Sequence, residues 1–335
     1  MTNKYTAEAS FNPETNSTAI TLAYHDSVYP AHNLTVSIAP ELGSNLYRLR
    51  AGDLDLIHCD LDLLKQRSFT GNFVLWPFPN RVRNKRYTYQ GKQYSLEELP
   101  RPMAHLVHGL VFDQPWQHEQ PEATSSSASV TTFIDIMPDY PYYSSYPFPS
   151  RLSLTYTLTD KGLSVAYHVQ NKGTQTLPYG FGLHPYFALL SGPEETLVSV
   201  PAEAVMEAKN ELPTGRVFDL NELMYAMYDL RSPIPVKYLK LDHVYTNLPK
   251  NAPAIIDYKK QHIQIAITTS NDFTHAVIYT PGGEPYFCVE QQTCSTDAIN
   301  FHNLGPEMQQ LAHLLEVAPG EIASGTVYYA VRFSD

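Results

Sequence analysis

One pattern limits this chain more than any other: two-residue periodicity on both sides of a tight turn. Leu152, Leu154, Tyr156 and Leu158 alternate with Ser153, Thr155 and Thr157, and Leu163, Val165, Tyr167 and Val169 resume the alternation after Asp160-Lys161-Gly162. Period two sends successive side chains to opposite faces of a strand, so each run has one apolar face to bury. The short polar connection ending in glycine predicts a hairpin. Residues 128–136 and 327–333 and the Ile263, Ile265, Ile267 series repeat the pattern, and runs near 17–24, 33–39 and 45–50 suggest further strands. Helical spacing is confined to short stretches at 221–228 and 306–315. Twenty-six prolines spread along 335 residues oppose long helices. Many short strands without β–α alternation predict an all-β antiparallel sandwich. Neither the serine-rich stretch 124–129 nor the proline- and tyrosine-rich stretch 138–149 interrupts the strand pattern for long, so one domain over 1–335 is expected.

Charge narrows the possible partners. The net charge is −11, which opposes binding to nucleic acid or to an anionic membrane. Hydrophobic residues make up 43 % and charged residues 17 %, the balance of a core-forming chain. Cys59, Cys288 and Cys294 form no Cys-x-x-Cys pair, and their odd number suits thiols in a reducing compartment. The first residues hold no apolar leader, and no apolar run reaches membrane-spanning length. A cytoplasmic protein is expected.

Five segments carry polar groups suited to chemistry. Residues 179–187, Tyr-Gly-Phe-Gly-Leu-His-Pro-Tyr-Phe, alternate bulky residues with Gly180, Gly182 and His184. That face, without side chains, reads as a floor on which a ligand ring could lie, and Pro185 biases His184 toward extended backbone. Trp76-Pro77-Phe78-Pro79 ends in Asn80-Arg81, an amide and a guanidinium suited to vicinal hydroxyls or an oxyanion. His105-Leu-Val-His108-Gly109 spaces two histidines but lacks further ligands, so a neutral His108 donating to a polar ligand is expected in place of a metal site. Asp242 lies between apolar residues, as a strand-end cap or a hydroxyl acceptor. Glu290 sits in an apolar strand-like run, where loss of water raises a carboxyl pKa toward neutrality and makes a better base. A structural pairing of Glu290, even with Arg81, is the alternative.

Taken in order, these segments resemble the aldose 1-epimerases, the galactose mutarotase family. The resemblance rests on Asn80-Arg81, His108-Gly109, Gly182-Leu-His184-Pro-Tyr-Phe, Asp242 and Cys288-Val-Glu290-Gln-Gln-Thr293, and it spans roughly residues 40–333. It implies a large antiparallel β-sandwich with an open carbohydrate cleft, and a reaction without cofactor or metal that interconverts the α and β anomers of free aldoses. Glu290 is then the base at the C1 hydroxyl and His184 the acid at the ring oxygen, about one sugar ring apart. Asn80, Arg81, His108 and Asp242 hold sugar hydroxyls, and Tyr186 or Phe287 could stack on the sugar. Where the family often has glycines after Asn-Arg, this chain has Val82-Arg83-Asn84-Lys85, and Gln291 follows the glutamate where proline is common. The absence of an arginine close after His108-Gly109 favours a neutral hexose such as glucose or galactose over a hexose phosphate, although Arg83, Lys85 and Arg86 could contact a phosphate. A non-catalytic carbohydrate-binding sandwich is the remaining reading. The protein is expected to be a monomer or a homodimer acting on a small sugar.

Overall fold

The computed structural model describes residues 4–334. The alternation at 150–171 forms the expected hairpin: Ser150–Thr159 pairs antiparallel with Gly162–Asn171, and Thr159 lies opposite Gly162. Gly162 has φ +136°, and a Cβ there would lie 2.0 Å from the Tyr329 carbonyl oxygen. Only glycine lets the strand Ile322–Phe333 come that close. This hairpin belongs to a ten-stranded antiparallel sheet that also takes in Ala128–Ile136, Ile322–Phe333, Ile263–Thr269 and Ala254–Tyr258. Leu152, Leu154, Tyr156 and Leu158 are all buried, as their spacing requires.

A seven-stranded sheet faces it and carries the site. Its order is Leu212–Asp219, Ala204–Lys209, Asp242–Thr246, His275–Tyr279, Tyr286–Gln292, Gly182–Ala188 and Asn72–Leu75. Every pairing within it is antiparallel. One face holds Leu183, Phe187, Phe287, Val289, Ala276 and Ile278, all in the main hydrophobic core. That face is buried against the protein interior, and the opposite face is available to a ligand. Tyr5–Asn12, Ser17–Tyr24, Leu34–Ala39, Asn45–Ala51 and Leu54–Asp55 form a separate five-stranded meander. The two helical stretches expected from sequence shorten to the 3-10 helix Leu223–Tyr228 and the α-helix Pro306–Ala312. Among the described residues no helix is long and apolar enough to cross a membrane.

Candidate active site

Strand register brings the distant motifs together. Gly182 pairs with Gln292 and Tyr186 with Cys288, so Glu290 falls directly opposite His184. On the other side of His184 lies Phe73, and on the other side of Glu290 lies Val277. Phe73, His184, Glu290 and Val277 thus form one row across the outer face of the sheet. The neighbouring row is Tyr186, Cys288, Tyr279 and Asp242. Residues in these rows line a cleft of about 430 Å³ whose walls also include Asn80, Arg81, His108 and Glu211. All six residues expected from sequence therefore border one cavity.

Two buried titratable groups meet in the cleft. His184 Nε2 lies 3.2 Å from Glu290 Oε1, and the residues are 5 % and 2 % exposed. The expected gap of one sugar ring is therefore closed: the two groups touch, because the register sets them side by side. The second Glu290 oxygen accepts a 2.9 Å hydrogen bond from Gln292 Nε2. Burial pushes the Glu290 carboxyl well above its ordinary value, with the Gln292 bond opposing that rise. Burial pulls the His184 imidazole down to about 3. Both effects penalise an isolated charge, so the pair favours holding one proton between its two members.

His184 is held by rings. Phe73 stacks on it at 4.6 Å between centroids, Tyr186 stacks at 5.1 Å, and His108 meets it edge-on at 4.9 Å. Phe73 and Tyr186 join Phe69, Phe112 and Cys288 in an apolar cluster apart from the main core. Its low dielectric strengthens electrostatic interactions at the pair. Tyr186 borders the cleft as expected. Phe287 does not: it is fully buried on the inner face, near Phe187 in the main core.

The walls are set by backbone geometry. Asn80 and His108 both adopt left-handed conformations, with φ of 57° and 64°. The His108 amide donates to the Asn80 carbonyl at 2.7 Å, and the Leu110 amide donates to the Trp76 carbonyl at 2.8 Å. A Cβ on Gly109 would lie 2.2 Å from that Trp76 oxygen, so the glycine after His108 lets the two loops meet. Arg101 fixes the loop from behind: its Nη1 donates to the Val107 and Gly109 carbonyls, each at 2.6 Å, and its Nη2 pairs with Asp113 at 3.1 Å. Burial, with His184 and Arg81 nearby, holds the His108 pKa well below the usual histidine value. A neutral His108 can donate to a hydroxyl or accept from one. Its neighbour His105 accepts the Asn84 amide at 3.1 Å, and among the described residues no cluster of three or more metal-ligating side chains forms.

Arg81 does not pair with Glu290. Its Nη1 donates to Asn80 Oδ1 at 2.9 Å, and its Nε lies 3.1 Å from Glu211 Oε2. Arg81 is the sole lysine or arginine among the lining residues. Arg83 pairs with buried Asp297 at 3.1 Å, Lys85 bonds the Arg101 carbonyl, and Arg86 pairs with Glu97 at 2.8 Å. None of these three borders the cleft, so the alternative in which they contact a phosphate finds no support there. Asn84, where the family often has glycine, takes a left-handed turn conformation with φ 53°. Asp242 begins its strand at the cleft rim and is exposed.

The glycine face of residues 179–187 needs correction. A Cβ on Gly180 would lie 2.3 Å from Cys294 Sγ and 2.8 Å from Pro79 Cδ, and one on Gly182 would lie 3.0 Å from Gln292 Cγ. The space beside these glycines is filled by protein, so they serve close packing and do not form a ligand floor. Aromatic rings and the His184–Glu290 pair form the floor instead. Three contributors were missed by the sequence reading. Phe73 lies in the strand Asn72–Leu75, where Phe73, Val74 and Leu75 are all apolar and carry no alternation. Gln292 shares parity with Glu290, and that signal was available. Glu211 lies in a polar turn whose sequence resembles any other.

The family model for aldose 1-epimerase matches residues 29–329. The chain is 30 % identical over 233 residues to the uncharacterised protein YihR of Escherichia coli K12, covering 68 % of this chain and 71 % of that one. It is 27 % identical over 205 residues to a galactose mutarotase of Rattus norvegicus, covering 58 % of this chain and 56 % of the rat protein. In structure it is similar to a galactose mutarotase-like protein of Clostridium acetobutylicum, with a TM-score of 0.81 and 19 % identity over 98 % of both chains. A galactose 1-epimerase of Lactobacillus acidophilus gives a TM-score of 0.75 at 16 % identity over the full length of both. With the register, the cleft and the family match in agreement, the chain belongs to the aldose 1-epimerase family and has its β-sandwich fold.

Proposed function

We propose that this protein is a mutarotase that interconverts the α and β anomers of a neutral aldohexose such as glucose or galactose. The observation that carries the reading is the 3.2 Å contact between His184 Nε2 and Glu290 Oε1 in a buried cleft floor. Mutarotation needs one proton taken and one given at a single hemiacetal carbon, where the C1 hydroxyl and the ring oxygen share that carbon. Two adjacent groups holding one proton between them match that need more closely than two groups a ring apart.

In the forward step the pair's one proton, which burial places on Glu290 at rest, first passes to His184, and the Glu290 carboxylate then takes the C1 hydroxyl proton. The C1–O1 bond gains double-bond character, the C1–O5 bond breaks, and protonated His184 gives its proton to O5. The open-chain aldehyde rotates about C1–C2. O5 then attacks the other face of the carbonyl, returns its proton to His184, and O1 recovers a proton from Glu290. Each proton carrier typically contributes about 10²–10⁴-fold. Asn80, Arg81, His108 and Asp242 bind sugar hydroxyls around the pair. Tyr186 and Tyr279, both in the cleft wall, offer ring faces to the sugar C–H bonds.

The scarcity of cations supports a neutral substrate. Arg81 is paired already, and the acidic groups Glu211, Asp242 and Glu290 share its cavity. A hexose phosphate would meet more negative than positive charge there. Exchange NMR on glucose, galactose and glucose 6-phosphate tests the reading. Catalysed α–β exchange on a neutral hexose, and little on the phosphate, is expected. Faster exchange on the phosphate would replace the substrate assignment. No exchange on any aldose would leave a binding protein without catalysis.

A further inference from the structure

The strands Ala204–Lys209 and Leu212–Asp219 are joined by Asn210 and Glu211, with φ of 51° and 64°. A two-residue turn with both φ values positive favours Asn-Gly, because glycine takes the second position freely. A glutamate there is strained, and local strain of this kind collects at functional sites. What the side chain reaches gives it a use. Its carboxylate lies 3.1 Å from Arg81 Nε at the rim of the main cleft, with the Glu211 side chain 61 % exposed. Together with Asn80, Arg81 and Asp242 it also borders a side pocket of about 30 Å³. A water needs about 10–15 Å³ by such a measure, so the pocket suits a hydroxyl and a water.

We propose that Glu211 is a specificity residue that occupies Arg81 and makes the cleft select neutral hexoses against hexoses bearing an anionic group, such as hexuronates and hexose phosphates. The inference rests on the sugar-cleft reading above. A free guanidinium presents a fork that fits a carboxylate or phosphate. Here Glu211 engages Nε and the Asn80 side-chain oxygen Oδ1 accepts from Nη1. An anionic substituent must displace Glu211 and then sit beside that carboxylate and Asp242, a repulsive contact that discriminates against it. A neutral hydroxyl does neither: it donates to Glu211 or Asp242 and accepts from a remaining guanidinium N–H.

The test compares binding of glucose, glucuronate and glucose 6-phosphate by saturation-transfer NMR titration, using wild type, Glu211→Gln and Glu211→Gly. Wild type should prefer glucose. Each variant should narrow the preference over glucuronate by about tenfold at low ionic strength, and by less in high salt, as expected for removing one unit charge close to the bound anion. Glu211→Gly should not lower the melting temperature, since glycine suits the turn. If wild type binds glucuronate as tightly as glucose, or both variants leave the ratio within about twofold of wild type, the proposal fails while the mutarotase reading stands. If wild type binds none of the three sugars, both fail.

Discussion

Gln292 offers a direct way to move the catalytic proton without touching the sugar. It is fully buried and does not border the cleft, yet its amide donates to Glu290 at 2.9 Å. That bond stabilises the carboxylate, so it lowers a pKa that burial raises. Gln292→Met removes the donor at similar length. Hydrogen bonds to charged groups contribute about 1.5–3 kcal/mol, and one pKa unit corresponds to about 1.4 kcal/mol. The Glu290 pKa should therefore rise by about one to two units. The sign follows from the role: Glu290 acts as a carboxylate, so a higher pKa moves the acid limb of the rate profile to higher pH. On that limb kcat should fall about tenfold per unit, while KM stays near wild type. The variant should lose some stability where Glu290 is ionised, because Glu290 Oε2 loses its donor, offset in part by removal of Gln292 Oε1, which is buried without a partner, and it should remain folded. The assay is a polarimetric pH–rate profile with a thermal melt on the same samples. An acid limb that stays in place, or moves to lower pH, in a folded variant would refute the argument.

Other outcomes follow from the same geometry. Gly180→Ala should lower the melting temperature, since overpacking costs about 1–3 kcal/mol, with KM changed less than stability; a raised KM at unchanged stability would restore the glycine face as a ligand floor. Glu290→Gln should abolish turnover yet raise the melting temperature by about 2–4 °C at pH 8, and by less at pH 4.5. The folded pKa of Glu290 lies above its unfolded value, so the native state binds the extra proton and loses stability as pH rises from about 4.5. An equal effect at both pH values would contradict the raised pKa. Arg101→Met should destabilise by about 3–5 kcal/mol, because it leaves Asp113 and two carbonyls of the His108 loop unpaired. Any folded fraction should show a raised sugar KM, and wild-type KM with wild-type stability would remove Arg101 from the account.

The residues differ in how openly they declared themselves. The 150–171 hairpin was readable because each strand is half buried and so must alternate, and because its turn is short. The proximity of His184 to Glu290 was not readable from spacing. It depends on the antiparallel register of two strands a hundred residues apart, which the motif order implied but could not measure; hence the expected gap where the structure has contact. The glycines misled for a physical reason. A missing side chain means close approach, and sequence alone does not say whether a ligand or Pro79 and Cys294 makes that approach. Phe287 misled in a simpler way, since its parity with Val289, opposite to Glu290, already assigned it to the core face. Glu211 was hidden because a charged turn is ordinarily a solvated one, and only the folded hairpin carries it back to Arg81.

The most direct test of the central claim is polarimetry on freshly dissolved α-D-glucose, and on α-D-galactose in parallel, with wild type, His184→Asn and Glu290→Gln at equal concentration. Wild type should speed the approach to the equilibrium rotation well beyond buffer, and each variant, still folded, should lose at least about 10²-fold of that rate. Wild type indistinguishable from buffer on both sugars, or a folded Glu290→Gln variant as fast as wild type, would contradict that claim.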